Sequence, residues 1–282
     1  MKIGISGASG HLGQKALSSL AQHGGGHHLV GISRSPQIVS GIVEGRFGDY
    51  DKPDSLAQAY EGLDRLLIIP SAELAPGVRG HQLRTAIEAA KQAGVPHIFL
   101  MSAVGTHEEA APSLGEAYWV AEQALIRTAA RWTILRMSYY AQSMADEIKM
   151  SLGSGVLAGL GDERVAYVSR DDVAAAAAGA LLGEGHSGAI YNLTGPASIT
   201  GTERAAAVSE IVGKPIGYVT ITMDQFRAGL AQAGLPEPIL DAMAEIKTNF
   251  IEGKFDIVTG DVARLSGRHP KSLRDILAAE LA

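Results

Sequence analysis

An α/β fold, a doubly wound parallel sheet with a smaller and mostly helical C-terminal lobe, follows from three features of this sequence. Apolar runs without period-2 alternation recur through the first half, helix-periodic segments separate them, and glycine or proline marks most of the junctions. Strands that are apolar on both sides belong to a sheet covered on both faces. Alternation of strand and helix gives parallel neighbours, and the right-handed crossover makes winding in both directions the economical topology.

The elements follow in order. Lys2 to Ser6 forms a short β-type run, and Gly7 to Gly13 turns it into a helix with Leu12, Ala16, Leu17 and Leu20 on one face. Gly24, Gly25 and Gly26 break that helix, and His28 to Ser33 reads as a second buried strand before a turn and helix start at Arg34-Ser35-Pro36. Val43 to Gly48 gives a weaker third strand ending at Asp49-Tyr50. Pro53 to Tyr60 reads as a helix, Arg65 to Ile69 as an apolar strand, Gly80 to Ala93 as a helix stopped by Gly94, and His97 to Met101 as another strand. Leu114 to Ala129 is an amphipathic helix and Trp132 to Met137 a sixth strand, which completes a Rossmann-type layout.

Beyond Tyr140 the pattern changes. Glycines punctuate Leu152 to Gly161, Ser169-Arg170-Asp171-Asp172 has the look of a capping box, and an alanine-rich helix runs from Val173 to Leu182. Its five consecutive alanines predict close helix packing. Ala189 to Leu193 reads as one more strand, and helices dominate from Thr200 on, broken at Pro215, Gly234-Leu235-Pro236 and Pro238. Residues 1–150 are therefore expected to form the sheet domain, and residues 151–282 a mixed segment that completes the sheet and builds the smaller, substrate-side lobe.

Composition narrows the function classes. With 282 residues, 46% of them hydrophobic and 19% charged, the chain buries a full core without disulfide or metal. It has no cysteine, which removes thiolate nucleophiles and zinc-thiolate sites and suits a reducing cytoplasm. No apolar run reaches the ~20 residues of a membrane span, and Met1-Lys2 leads directly into a strand, so a cytoplasmic location without membrane attachment is expected. A net charge of -6 without a dense Lys/Arg block argues against a nucleic-acid surface. The nine histidines show no metal spacing, and no metal is expected. Glu108-Glu109 reads as a solvated loop pair and Asp171-Asp172 as a helix N-cap.

Gly7-Ala8-Ser9-Gly10-His11-Leu12-Gly13 is Gly-x-x-Gly-x-x-Gly between a strand and a helix, the context that gives the pattern meaning. The first glycine permits the tight turn, the second lets backbone approach a pyrophosphate, and the third lets helix and strand touch. The helix start supplies free N–H groups and a partial positive charge. The plain alternative is a loop whose glycines serve turn geometry alone. At the second strand's end, where NAD-specific enzymes place an acid against the ribose 2′-hydroxyl about 20 residues past the glycines, stands Ser33-Arg34-Ser35. A guanidinium pairs with a 2′-phosphate and a carboxylate repels it, so NADP(H) is the expected cofactor, with a solvated surface arginine as the alternative. Asp49 and Tyr50 fall where adenine would lie, and Pro70-Ser71-Ala72 at the carboxyl edge of the sheet.

The sequence resembles the NmrA-like, atypical branch of the short-chain dehydrogenase/reductase superfamily, in particular bacterial NADPH quinone oxidoreductases and triphenylmethane dye reductases. The resemblance runs the full length and is carried by Ile5-Ser6-Gly7-Ala8-Ser9-Gly10-His11-Leu12-Gly13, Ser33-Arg34-Ser35-Pro36, Gly48-Asp49-Tyr50, Ala93-Gly94-Val95-Pro96-His97-Ile98 and Trp132-Thr133-Ile134-Leu135-Arg136. Further on it rests on Tyr167-Val168-Ser169-Arg170-Asp171-Asp172-Val173-Ala174, Tyr191-Asn192-Leu193-Thr194-Gly195 and Gly234-Leu235-Pro236. It implies NADPH along the glycine turn and Arg34, with the nicotinamide near Ser102 and the segment Met137, Ser138, Tyr139 and Tyr140. Met137 departs from the family, which tends to carry Asn there, so one polar contact differs.

Typical members of the superfamily use a serine, a tyrosine and a lysine four residues after the tyrosine. By that correspondence Ser102 and Tyr118 are the candidate catalytic residues, but the lysine position holds Glu122. Tyr118 and Glu122 share a helix face. A carboxylate beside a phenol disfavours the phenolate, the wrong sign for a relay working near neutral pH. Alcohol–ketone and sugar-nucleotide epimerase chemistry are disfavoured accordingly. Quinones and conjugated dyes accept hydride readily, so a site that stacks the acceptor on nicotinamide suffices. Tyr139, Tyr140, Met144, Met223, Phe226, Phe250 and Phe255 are candidates for an apolar, aromatic pocket between the lobes, though each also suits the core. The expectation is an NADPH-dependent oxidoreductase acting on a small quinone or other aromatic acceptor, and a homodimer is compatible with it. The alternative is an NmrA-like regulatory protein that senses NADP(H) without turnover.

Overall fold

The computed structural model describes residues 1–23, 25–38 and 43–282; Gly24 of the predicted glycine break lies outside the described residues. The first part of the chain forms β1 (Lys2–Ser6), α1 (His11–Gln22), β2 (His28–Ser33), β3 (Val43–Phe47), α2 (Pro53–Tyr60), β4 (Arg65–Ile68), α3 (Val78–Gln92), β5 (His97–Ala103), α4 (Leu114–Thr128) and β6 (Trp132–Met137). Then come α5 (Ala141–Ser151), β7 (Val156–Gly159), β8 (Arg164–Val165), α6 (Arg170–Leu182), β9 (Ala189–Leu193) and β10 (Ile199–Thr200). The remainder is α7 (Gly201–Val212), β11 (Gly217–Thr220), α8 (Met223–Gln232), α9 (Glu237–Ile251), α10 (Asp261–Ser266) and α11 (Leu273–Glu280).

The contacts divide the chain into two units. Unit 1 comprises Met1–Arg136, Arg170–Leu193 and Asp261–Arg268; unit 2 comprises Met137–Ser169, Thr194–Gly260 and His269–Ala282. Sequence reading places the division near residue 150, inside what proves to be α5. The observed division falls at Arg136, and unit 1 later takes back α6, β9 and α10, because the sheet is not complete until β9.

Unit 1 holds a seven-stranded sheet in the order β3-β2-β1-β4-β5-β6-β9. β2 pairs in parallel with both β3 and β1, and β4 with both β1 and β5. The winding reverses between β1 and β4, which opens a crevice at the carboxyl edge where ligands of such sheets bind. Burial explains the sequence pattern: β4 is buried at every position and β5 at all but its last, so neither strand could alternate. The alanines of α6 are almost wholly buried, and this helix packs against α1 and α10, the close packing its sequence predicts. Asp171 and Asp172, expected at the cap, lie instead within the first turn of α6. There they favour the helix N-terminus electrostatically and pair with Lys15 and Arg268 respectively.

Unit 2 is mainly helical. Its two small sheets join β7 in parallel to β11 and β8 antiparallel to β10. Capping boxes at Thr200/Glu203 and Thr222/Gln225 start α7 and α8. Among the described residues no helix is long and apolar enough to cross a membrane.

Candidate cofactor and substrate sites

The glycine turn follows β1 at the switch point. Gly7 has φ +88°, and its N–H and that of Ala8 both donate to the Ile32 carbonyl at 3.0 Å, tying the turn to β2. A Cβ on Gly7 would be strained by that φ and would stand 3.1 Å from the Ile69 carbonyl oxygen. On Gly13 a Cβ would stand 2.4 Å from the Gly7 carbonyl oxygen and 2.8 Å from Ala8 Cα, so only glycine lets α1 lie this close to the turn. Gly10 is the N-cap of α1, and no side chain caps that helix end. Ser9 is held through its carbonyl, which accepts from Gln14 Nε2 at 2.8 Å. His11 is exposed at the helix start, whereas Leu12 is buried beneath it. A strand, a tight turn and an uncapped helix start together make a backbone cradle for an anion.

Around the cradle the predicted residues take distinct places. Arg34 is exposed at the tip of β2, and among the described residues its guanidinium makes no hydrogen bond or ion pair. Beside it Ser33 Oγ accepts from the Ser35 N–H at 3.1 Å. Asp49 N–H donates to Ser55 Oγ at 3.0 Å, and the Tyr50 hydroxyl donates to the Ile69 carbonyl at 2.7 Å. Burial pushes the Tyr50 phenol well above its ordinary range, so it serves as a neutral donor that braces the end of β4. Pro70 is half-buried, and Ser71 Oγ donates to Gln82 Oε1 at 2.5 Å while Gln82 Nε2 donates to Asp51 Oδ1 at 3.0 Å.

The acid–base candidates are arranged otherwise than the sequence suggests. Ser102, wholly buried, donates to Glu122 Oε1 at 2.6 Å. Arg136 grips the same carboxylate through Nε at 2.8 Å and Nη2 at 2.6 Å, a bidentate pair with Glu122 only 1% exposed. Glu122 raises the Arg136 pKa in return. The expected approach of Glu122 to Tyr118 is thus corrected: α4 turns the carboxylate to Arg136 and Ser102, which occupy its oxygens. A cation stands at the phenol instead, with Arg79 Nη1 3.5 Å from the Tyr118 hydroxyl and the guanidinium carbon 5.7 Å from the ring centroid. Sequence reading missed Arg79 and the role of Arg136. An arginine two residues past Gly77, at a helix start where acids are the rule, was the available signal.

In unit 2 the segment after β6 is also fixed locally. Tyr140 donates its hydroxyl to Met137 Sδ at 2.7 Å, and the Ser138 hydroxyl is buried with no hydrogen-bond partner among the described residues. Tyr139 donates to Glu147 Oε1 at 2.5 Å, and Lys247 Nζ donates to Glu147 Oε2 at 2.7 Å. Lys247 is 3% exposed, so its charge is matched internally. Phe250 and Phe255 form an edge-to-face cluster with Tyr139 and Tyr167 in the unit 2 core. Met144 and Phe226 do line a cavity of about 240 Å³, with Ile148, Leu157, Leu230 and Met243 among its other walls. Sequence reading did not find Glu147, Lys247 or Arg204, which bring matched charge to the same cavity.

A family model described as NAD(P)H-binding matches residues 7–183, from the first cradle glycine to the end of α6. The chain belongs to the NAD(P)H-binding family. It is 31% identical over 274 residues to quinone oxidoreductase 2 of Escherichia coli K12, covering 95% of this chain and 94% of that protein. A crystal structure of the NADPH-dependent quinone oxidoreductase of Escherichia coli complexed with NADPH matches with TM-score 0.92 and 29% identity, over 99% of this chain and 100% of that one. The Citrobacter sp. triphenylmethane reductase complexed with NADP(H) matches with TM-score 0.90 and 27% identity over the whole of both chains. The family resemblance and the Rossmann-type sheet expected from the sequence are both borne out.

Proposed function

We propose that this family member is an NADPH-dependent reductase that delivers hydride to a quinone or another conjugated aromatic acceptor. The observation that carries the reading is the glycine-lined, uncapped start of α1 with a free guanidinium at the tip of the adjacent strand. The unpaired backbone N–H groups of His11, Leu12 and Gly13 at the start of α1 hold the pyrophosphate over the glycine turn, and Arg34 with the hydroxyls of Ser33 and Ser35 holds the 2′-phosphate. Asp49 and Tyr50 border the adenine. When bound, the reduced nicotinamide supplies hydride, and the protein's part is to orient it and to keep competing water away. The buried, unpartnered Ser138 hydroxyl is a donor available to a carboxamide or carbonyl. Solved relatives carry NADPH or NADP(H), and the curated ones include a quinone oxidoreductase and an azoreductase. These likenesses support an oxidoreductase with a small aromatic acceptor.

Unit 2 adds a cavity with a mainly apolar lining whose charges cancel in pairs, a lining that selects an uncharged aromatic body over an anionic one. At about 240 Å³ it is smaller than the roughly 300–1,000 Å³ of drug-sized pockets and suits one or two fused rings.

Two measurements test the proposal. Calorimetry should give micromolar or tighter NADPH binding, lost in Gly13→Val, and NADPH oxidation followed at its absorbance maximum should accelerate with members of a quinone panel. Tight binding without turnover on any quinone or dye would turn the reading toward an NADP(H) sensor. No heat with either NADPH or NADP+ would overturn the cofactor assignment itself.

A further inference from the structure

Arg79 is the second residue of α3 and Tyr118 the fifth of α4. Both helices start at the carboxyl edge of the sheet, α3 after β4 and α4 after β5, and the two pack together. Gly80 makes the approach possible: a Cβ there would come within 3.1 Å of Val120 Cγ2 and 3.4 Å of Ala117 Cα. The packing sets the Arg79 guanidinium over Tyr118, with Nη1 3.5 Å from the hydroxyl oxygen.

Arg79 is only 9% exposed, and its Nε has no partner. Among the described residues no carboxylate pairs with it. Glu122, one turn beyond Tyr118 on α4, cannot serve, since Ser102 and Arg136 hold its oxygens. A buried guanidinium left without an acid is costly unless electron density meets it from elsewhere. Among the described residues the one hydrogen bond recorded for its side chain goes to the Tyr118 oxygen, and at 3.5 Å that bond is long and weak. The arrangement fits a charge that is needed at the moment the phenol gives up its proton.

We infer that Arg79 takes the part that the lysine plays in typical short-chain reductases, with Tyr118 as proton donor to the acceptor's oxygen and Arg79 as the residue that positions and charges it. This rests on the quinone reductase reading above. Arg79 donates to the Tyr118 oxygen, which turns the phenolic proton toward the acceptor. The acceptor is reduced by two electrons: it receives hydride from the reduced nicotinamide, and a proton as the Tyr118 O–H bond breaks and an O–H forms on the acceptor. The phenolate, held beside Arg79, then takes a proton from water. Ser102 has no part in that transfer; its hydroxyl and Arg136 fix Glu122 and keep this acid away from the phenol.

Acceptor chemistry provides the test. A quinone needs a proton on oxygen, whereas a cationic triarylmethane dye is neutralised by hydride alone. In Arg79→Met and in Tyr118→Phe the ratio of kcat for quinone to kcat for dye should fall tenfold or more, and the double variant should fall no further than either single one. Arg79→Lys should keep the ratio within about threefold, and millimolar guanidinium should restore quinone turnover in Arg79→Ala but not in Tyr118→Phe. Equal slowing toward both acceptors, or absence of rescue, would overturn the assignment. If the dye is not turned over at all, the rescue decides. Wild-type protein that binds NADPH yet reduces no quinone would instead bring down the underlying reading.

Discussion

Each unit buries an arginine beside a tyrosine, and the two pairs are completed differently. In unit 2, Arg204 donates to the Tyr167 hydroxyl at 2.6 Å and to Glu163 Oε1 at 2.6 Å, with both charged groups at most 2% exposed. In unit 1, Arg79 meets Tyr118 across 3.5 Å, and no described acid completes the pair. The same contrast holds more widely: Lys247 has Glu147, while Arg34 and the start of α1 stand open. A matched buried charge belongs to the architecture, and its net effect on stability is small. An unmatched one keeps its field for something that arrives.

The contrast is most at risk in unit 2. Glu163→Gln takes the acid from Arg204 and leaves it, like Arg79, with a tyrosine hydroxyl but no carboxylate, and removing one partner of a buried pair costs about 3–5 kcal/mol. The urea midpoint of the full chain should drop accordingly. A change below about 1 kcal/mol would mean that matched and unmatched arginines are equally tolerated, and the contrast would lose its meaning.

Within unit 1, a pH titration probes another buried group that has no acid beside it. His97 is 2% exposed and stacked on Phe99, and burial, with the charges of Arg131 and Arg65, holds its pKa at about 4. The unfolded chain binds the proton at about 6.5. Stability is therefore complete above pH 6.5 and declines as pH falls toward 4, by something on the order of 3 kcal/mol. Denaturation midpoints between pH 7 and 4 should show this slope, and His97→Gln should flatten it.

The exposed cation of unit 1 should give the mildest change. Arg34→Ala should weaken NADPH binding by roughly 10- to 100-fold, or about 1.4–2.8 kcal/mol, and change NADH binding little. Calorimetry with both cofactors gives the ratio directly, and an equal loss for the two would remove Arg34 from the phosphate site.

The sheet of unit 1 was largely legible because buried parallel strands leave unbroken apolar runs. β1, β2 and β6 agree with the sequence reading to the residue. The cradle was legible for a related reason: Gly7 and Gly13 answer local steric demands that a spacing records. Arg79 was not legible, because its partner lies 39 residues away on another helix and only the contact through Gly80 brings them together. Glu147 and Lys247, 100 residues apart, were hidden in the same way. The partner of Glu122 was hidden too: a shared helix face identifies neighbours along α4 but not the strand residue, Arg136, that claims the carboxylate.

The path of the chain has a practical corollary. It leaves the sheet unit after Arg136, returns for Arg170–Leu193, departs again, and comes back once more for Asp261–Arg268. No single cut therefore yields an intact nucleotide-binding fragment. A truncation near residue 150 would strip away α6 and α10 as well as the outermost strand β9, exposing apolar faces of α1 and an open sheet edge prone to aggregation. Anyone wishing to graft this cofactor module onto another protein must transplant three separate stretches or rejoin them by a new connection.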